Sequence, residues 1–344
     1  MLVDKIEQLE EKMKSLENFS GAVQIKERDE IIFKDAFGYA DVWNSIKNNI
    51  HTRFGIASGA KLLTAIGICK LVDEGLIKFS TLLKDCLPID FPNFDPQVTI
   101  HHLLTHSSWI PDYFDEETMD DFSELWIRNP MYLFREPKDF LPMFQQSKMM
   151  FAPGEKFYYN NGAFIVLGLV IEHVTKIPFI DFIQQKIFDP LEMKESGYFA
   201  LDQLPGNCAY GYIEDKAGTL RTNIYSIPVV GGPDGGVFIT VDDMSKLWQG
   251  IVHCKLLSEK VTTKLLTPQI HDDGEFYYGY GIWIRKKEDK VWKYFLTGMD
   301  PGVRFMSSYY PKAQIEVTVL ANREFGPYDI TMYVESLLSE RHGK

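Results

Sequence analysis

The chain opens and closes with period-two alternation and carries a helical middle. Ser20–Lys26 and Glu30–Ala40 alternate apolar and polar positions, and the polar run from Glu27 to Glu30 supplies a hairpin turn between these two predicted strands. Ahead of them, residues 3–17 place Ile6, Leu9, Met13 and Leu16 on one side of an amphipathic helix. Four further runs, Tyr278–Arg285, Lys290–Leu296, Val303–Tyr310 and Gln314–Ala321, read as antiparallel strands, and Tyr328–Glu340 closes as a helix. Residues 58–75 form an apolar helix ended by Gly75. From about 80 to 270, helices and long connections are broken often by Pro or Gly. Nothing repeats and no linker separates the parts. The pattern predicts one unit with two lobes. One is an α/β lobe, about 1–57 and 275–344, whose strands join in a single antiparallel sheet; the other is a mainly helical lobe, about 58–274.

Composition narrows the function. Hydrophobic residues make up 45% and charged residues 24% of the 344 positions, as in an ordinary soluble protein with a large core. A net charge of -12 argues against nucleic-acid partners and anionic membrane surfaces. No run approaches the roughly 18 apolar residues of a membrane span. The N-terminal residues lack the apolar centre of a secretory signal, so a cytoplasmic location is expected. Cys69, Cys86, Cys208 and Cys254 are too dispersed for a disulfide framework, and Cys69 falls in the apolar helix as a buried thiol. The eight histidines form no metal-binding pattern, so neither a metal nor an organic cofactor is implied. The acidic run from Asp112 to Glu124 is expected to be a solvated helix face, with a lid or cleft wall as the alternative.

The candidate chemistry begins at Ser58-Gly-Ala-Lys61. A serine and a lysine three apart at the start of a helix share one face. A neutral lysine there could accept the proton of a serine hydroxyl, which needs a base to act as a nucleophile at pH 7. Taken alone, the spacing equally describes an N-cap serine followed by a surface lysine. Two later motifs change that balance: Tyr159-Asn160-Asn161, and Leu296-Thr297-Gly298 leading into a strand.

In that order the three motifs resemble the serine β-lactamase and penicillin-binding protein superfamily, in particular its class C-like, D-alanyl-D-alanine carboxypeptidase and serine esterase relatives. Val98–Ser108, Pro190–Ser196 and Gly231–Met244 resemble further segments of that family. The resemblance implies an α+β fold of the β-lactamase/transpeptidase type. It implies a serine hydrolase that forms an acyl-enzyme on an ester or amide of a small-molecule or peptide substrate. Ser58 would be the nucleophile, with Lys61 and Tyr159 moving protons. Asn161 would orient Lys61 and touch a substrate carbonyl. Gly298 would let the substrate lie close to the strand, with Thr297 beside it, and the Ser58 and Met299 N–H groups would hold the oxyanion. His106 is expected to make a structural hydrogen bond. Relatives carry Lys or His where this chain has Leu296, so action on carboxylate-bearing substrates is expected to be weak, with Arg304 as a candidate displaced cation. Trp109 stands where relatives have glycine, so a different local backbone or cleft rim is expected. These two departures also support the alternative of a non-catalytic penicillin-recognising sensor.

Overall fold

The computed structural model describes residues 5–16 and 18–339. An amphipathic helix, α1 (Ile6–Lys14), precedes a hairpin of β1 (Gly21–Glu27) and β2 (Glu30–Phe37). The remaining strands of the main sheet come from the other end of the chain. They are β3 (Ile270–His271), β4 (Phe276–Tyr278), β5 (Trp283–Lys287), β6 (Lys290–Asp300), β7 (Val303–Tyr310) and β8 (Ile315–Ala321). Their order is β2-β1-β8-β7-β6-β5-β4-β3, antiparallel throughout, with β1 and β8 in register from Gly21↔Ala321 to Glu27↔Ile315. The ends of the chain thus meet in mid-sheet. The outer parts of the expected first and last helices, residues 3, 4, 17 and 340, lie outside the described residues.

Strand β8 shows how the sheet is held. Ile315, Val317, Val319 and Ala321 pack with Leu9 and Met13 of α1 and with Ile330, Val334 and Leu337 of the C-terminal helix Pro327–Ser339. The alternate positions Glu316 and Thr318 read as a solvent face, yet they are buried as well. The helix Val241–Val252 covers that face, and its polar groups satisfy the strand: Ser245 donates to Glu316 at 2.6 Å, while Trp248 donates to Ser307, which pairs with Thr318 at 2.8 Å. Burial of such groups is tolerable only with these partners.

One predicted strand is corrected. Tyr278–Arg285 is not continuous: β4 ends at Tyr278, the chain turns, and β5 starts at Trp283, opposite Tyr278. Gly281 in the turn has φ +69° and lies so close to the helix Lys61–Asp73 that a Cβ would sit 2.6 Å from the Ala65 methyl. A left-handed residue cannot continue a strand, and only glycine fits there.

The helical part is built around α2 (Lys61–Asp73) and α3 (Asn161–Thr175). Leu62, Leu63, Ile66, Ile68, Cys69 and Leu71 of α2 are all buried, because sheet and helices surround it. At Gly67 an added Cβ would stand 2.8 Å from Ile171 of α3, so the two helices approach closely there.

Candidate active site

Ser58 sits in a 3-10 turn, Ala57–Ala60, that runs directly into α2. The preceding Ala57 is buried and held at φ +46°. A left-handed alanine costs roughly 1–2 kcal/mol, and it turns the chain sharply from the short strand Phe54–Gly55 into the helix. On the other side lies β6. An added Cβ at Gly298 would stand 2.1 Å from the Ile56 carbonyl oxygen, so only glycine lets the strand lie against this turn. Pairing with β5 stops at Trp283↔Phe295, which leaves Leu296–Asp300 a free backbone edge.

Lys61 is almost fully enclosed, at 1% exposure. Its Nζ donates to Ser58 Oγ at 3.0 Å, to Asn161 Oδ1 at 2.7 Å and to the Asp234 carbonyl at 2.9 Å. It also lies 4.9 Å from the centroid of the Tyr159 ring. Burial pushes its pKa below the ordinary lysine value, while the negative charges of Asp234, Glu116, Asp112 and Asp300 oppose the shift. Tyr159 moves the other way. Burial and then Glu116 hold its hydroxyl well above the usual tyrosine range, against a hydrogen bond with Ser58 that pulls it down.

His106 supports Tyr159 from behind. Its ring stacks on the Tyr159 ring at 4.3 Å, and its Nδ1 accepts the Asn160 N–H at 3.0 Å. Burial and the nearby Lys61 cation hold it well below the usual histidine pKa, so it is neutral. Asn160 caps α3 by accepting the Ala163 N–H at 2.6 Å.

Ser58, Tyr159, Asn161, Thr297, Gly298 and Met299 line one cleft of about 770 Å³, with Lys61 bonded beneath them. Within this group three details differ from expectation. First, the Asn161 amide is not open to a substrate carbonyl: its two N–H groups go to the Phe114 carbonyl at 3.2 Å and the Glu116 carboxylate at 3.1 Å. Second, the Thr297 hydroxyl turns back onto the sheet and donates to the Phe305 carbonyl at 3.3 Å. Third, Leu296 does not face the cleft. It is 2% exposed in the main core, on the same side of β6 as Gly298 because strand side chains alternate. A cation at 296 would be a buried group, whereas Arg304, opposite Met299 on β7, does line the cleft.

The acidic run is a cleft wall and not a solvated helix face. Nine of the eleven residues from Tyr113 to Ser123 line the site, and side chains tie the segment down. Asp112 accepts the Asn161 N–H at 2.6 Å, the Gly162 N–H at 2.8 Å and the Phe114 N–H at 3.3 Å. Burial still pushes the Asp112 carboxyl up to about 7 against those donors. The Tyr113 hydroxyl donates to the Asp234 carboxylate, and Tyr158 donates to Asp115 at 2.9 Å. Trp109 has φ +57°, the left-handed region that glycine takes freely, and its ring is buried against Tyr158 and Phe151 behind the wall. Its stacking partner Tyr158 links it to the wall at Asp115.

Asp112, Tyr113, Glu116 and Asp234 were not among the residues that sequence reasoning selected. In the sequence the first three look like part of a charged surface, and Asp234 looks like one residue of a glycine-rich turn. The usable signal was the aromatic pair Tyr113-Phe114 inside the acidic run, since solvated segments rarely carry adjacent aromatics. Among the described residues, no cluster of His, Cys, Asp and Glu could hold a metal ion, and no single helix is long and apolar enough to cross a membrane.

Known proteins resemble this chain in sequence and in fold. Residues 6–337 match the family described as Beta-lactamase. Penicillin-binding protein 4* of Bacillus subtilis is 27% identical over 93% of this chain and 71% of its own length. Teichoic acid D-alanine hydrolase of Staphylococcus aureus is 28% identical over 76% of this chain and 62% of its own length. The crystal structure of a penicillin-binding protein from Bacillus halodurans superposes with a TM-score of 0.92 at 47% identity, covering 96% of this chain and 99% of that one.

Proposed function

The chain belongs to the β-lactamase family, and from that premise we propose that it is a serine acyl hydrolase that opens an ester or amide bond through an acyl-enzyme on Ser58. The observation that carries this reading is the hydrogen bond from the buried, pKa-depressed Lys61 to Ser58, with Tyr159 on the same hydroxyl. Ser58 Oγ attacks the carbonyl carbon as its proton passes to a neutral Lys61. The Ser58 and Met299 N–H groups hold the oxyanion. The C–O or C–N bond then breaks, and the leaving group takes a proton from Tyr159. With a pKa raised by burial, Tyr159 suits the donor's role better than the base's. Tyr159 is reprotonated by the ammonium of Lys61. Water repeats the sequence on the acyl-enzyme and releases the acid.

Intact-mass analysis after exposure to a fluorophosphonate tests the nucleophile. One adduct on the natural protein and none on Ser58→Ala is the expected result. Equal labelling of both proteins would overturn the assignment.

A further inference from the structure

Given acylation of Ser58, on which this inference rests, the cleft also states which acyl group it accepts. Both N–H groups of Asn161 are occupied, and its Oδ1 is held by Lys61. A substrate that placed an amide carbonyl here, as an N-acylated peptide or an acylamino β-lactam would, meets the Phe114 carbonyl and the Glu116 carboxylate, two acceptors and no free donor. A free ammonium carries three donors and no acceptor, so it fits what an amide carbonyl does not.

A second observation points the same way. Asp300 follows Met299 at the free edge of β6 and lines the cleft half-buried, and no hydrogen bond or ion pair holds its carboxylate among the described residues. Burial and the nearby Asp234 charge push it up to about 7. Lys61 opposes that shift without cancelling it, and the Glu116 charge adds to it, so a cation placed between Glu116 and Asp300 would supply further counter-charge. The wider cleft favours one too, with eight carboxylates along its lining against two arginines, Arg221 and Arg304.

We infer that the acyl group taken by Ser58 carries a free ammonium next to the scissile carbonyl, and that Glu116 and Asp300 bind it. Substrates of this class are aminoacyl esters and amides with an unblocked amine, as opposed to N-acylated peptides.

The test compares kcat/KM for D- and L-alanine p-nitroanilide with the N-acetyl form of each, and uses p-nitrophenyl acetate as a neutral reference. For one enantiomer, the free amine should exceed its N-acetyl form by about tenfold or more. Glu116→Gln, which keeps an oxygen for the Asn161 amide, and Asp300→Asn should each lower that ratio by about tenfold, with melting curves confirming folded variants. An N-acetyl substrate cleaved as well as the free amine, no cleavage of either free amine, or an unchanged ratio in both variants would overturn the inference. Failure of the hydrolase reading is a separate result: p-nitrophenyl acetate would then survive, or Ser58→Ala would cleave it as fast as the natural protein does.

Discussion

Lys61 Nζ lies 2.7 Å from Asn161 Oδ1, and this single contact fixes which way the amide faces. With the oxygen turned to the ammonium, the Asn161 nitrogen must face the wall at Phe114 and Glu116. One side chain thus orients the Lys61 amine and leaves none of its own N–H groups free.

Asn161→Asp would place a carboxylate against Lys61 and favour its protonated form, removing the base. Losing a positioned base costs roughly 10²–10⁴-fold, so fluorophosphonate labelling of Ser58 should slow by at least 100-fold near neutral pH. Labelling within threefold of the natural protein would show that Lys61 is not the acceptor of the serine proton.

The pH profile carries the same sign. Lys61 must be neutral to accept a proton, and burial depresses its pKa. The rate of Ser58 labelling should therefore rise with pH along one limb, fall as pH drops through the depressed Lys61 pKa, and reach its plateau below the ordinary lysine value near 10.5. A rate that still rises beyond that value would mean that Tyr159, whose pKa is pushed up, is the base.

Tyr113→Phe leaves the Asp234 carboxylate buried without its hydroxyl partner. An unsatisfied buried group of this kind costs about 1–3 kcal/mol, more when charged. Because the Asp234 carbonyl holds Lys61, chemical denaturation should show that loss of stability together with slower acylation. Unchanged stability would mean that the carboxylate finds another donor.

Asp300 makes stability depend on pH. Its native pKa of about 7 is raised above the ordinary aspartate value of 3.8. The folded state therefore binds the proton more tightly, and that contribution is present below the unfolded pKa and lost as pH rises through 7. Asp300→Asn should raise Tm at pH 8 relative to the natural protein and by less at pH 5. For this partly exposed group the difference is on the order of 1 kcal/mol, about 2 °C for a chain of this size. An equal shift at both pH values would place the effect elsewhere than in ionisation.

At position 296, lysine would bring a charge into the core beside β6. Leu296→Lys should lower stability by several kcal/mol unless a partner forms. A variant of unchanged Tm that gains activity on a carboxylate-bearing substrate would show that the side chain can reach the cleft.

The sequence by itself determined the sheet-forming segments at both ends, the apolar helix that follows Ser58 and the order of the three motifs. These depend on local alternation, on helical spacing and on residue types that few other arrangements require. It did not show that Tyr278–Arg285 turns back on itself, because the turn is imposed by contact between Gly281 and Ala65, far apart in the chain. Nor did alternation show that Glu316 and Thr318 are buried, since a polar face covered by a polar helix has the same pattern as one covered by water. Tertiary structure alone decided what the acidic run does. Asp112, Tyr113 and Glu116 acquire their roles only where the wall folds over Asn161 and Asp234, which lie 45 to 121 positions further along the chain. A carboxylate's partner is set by distance in space, and a charged run carries no record of that distance.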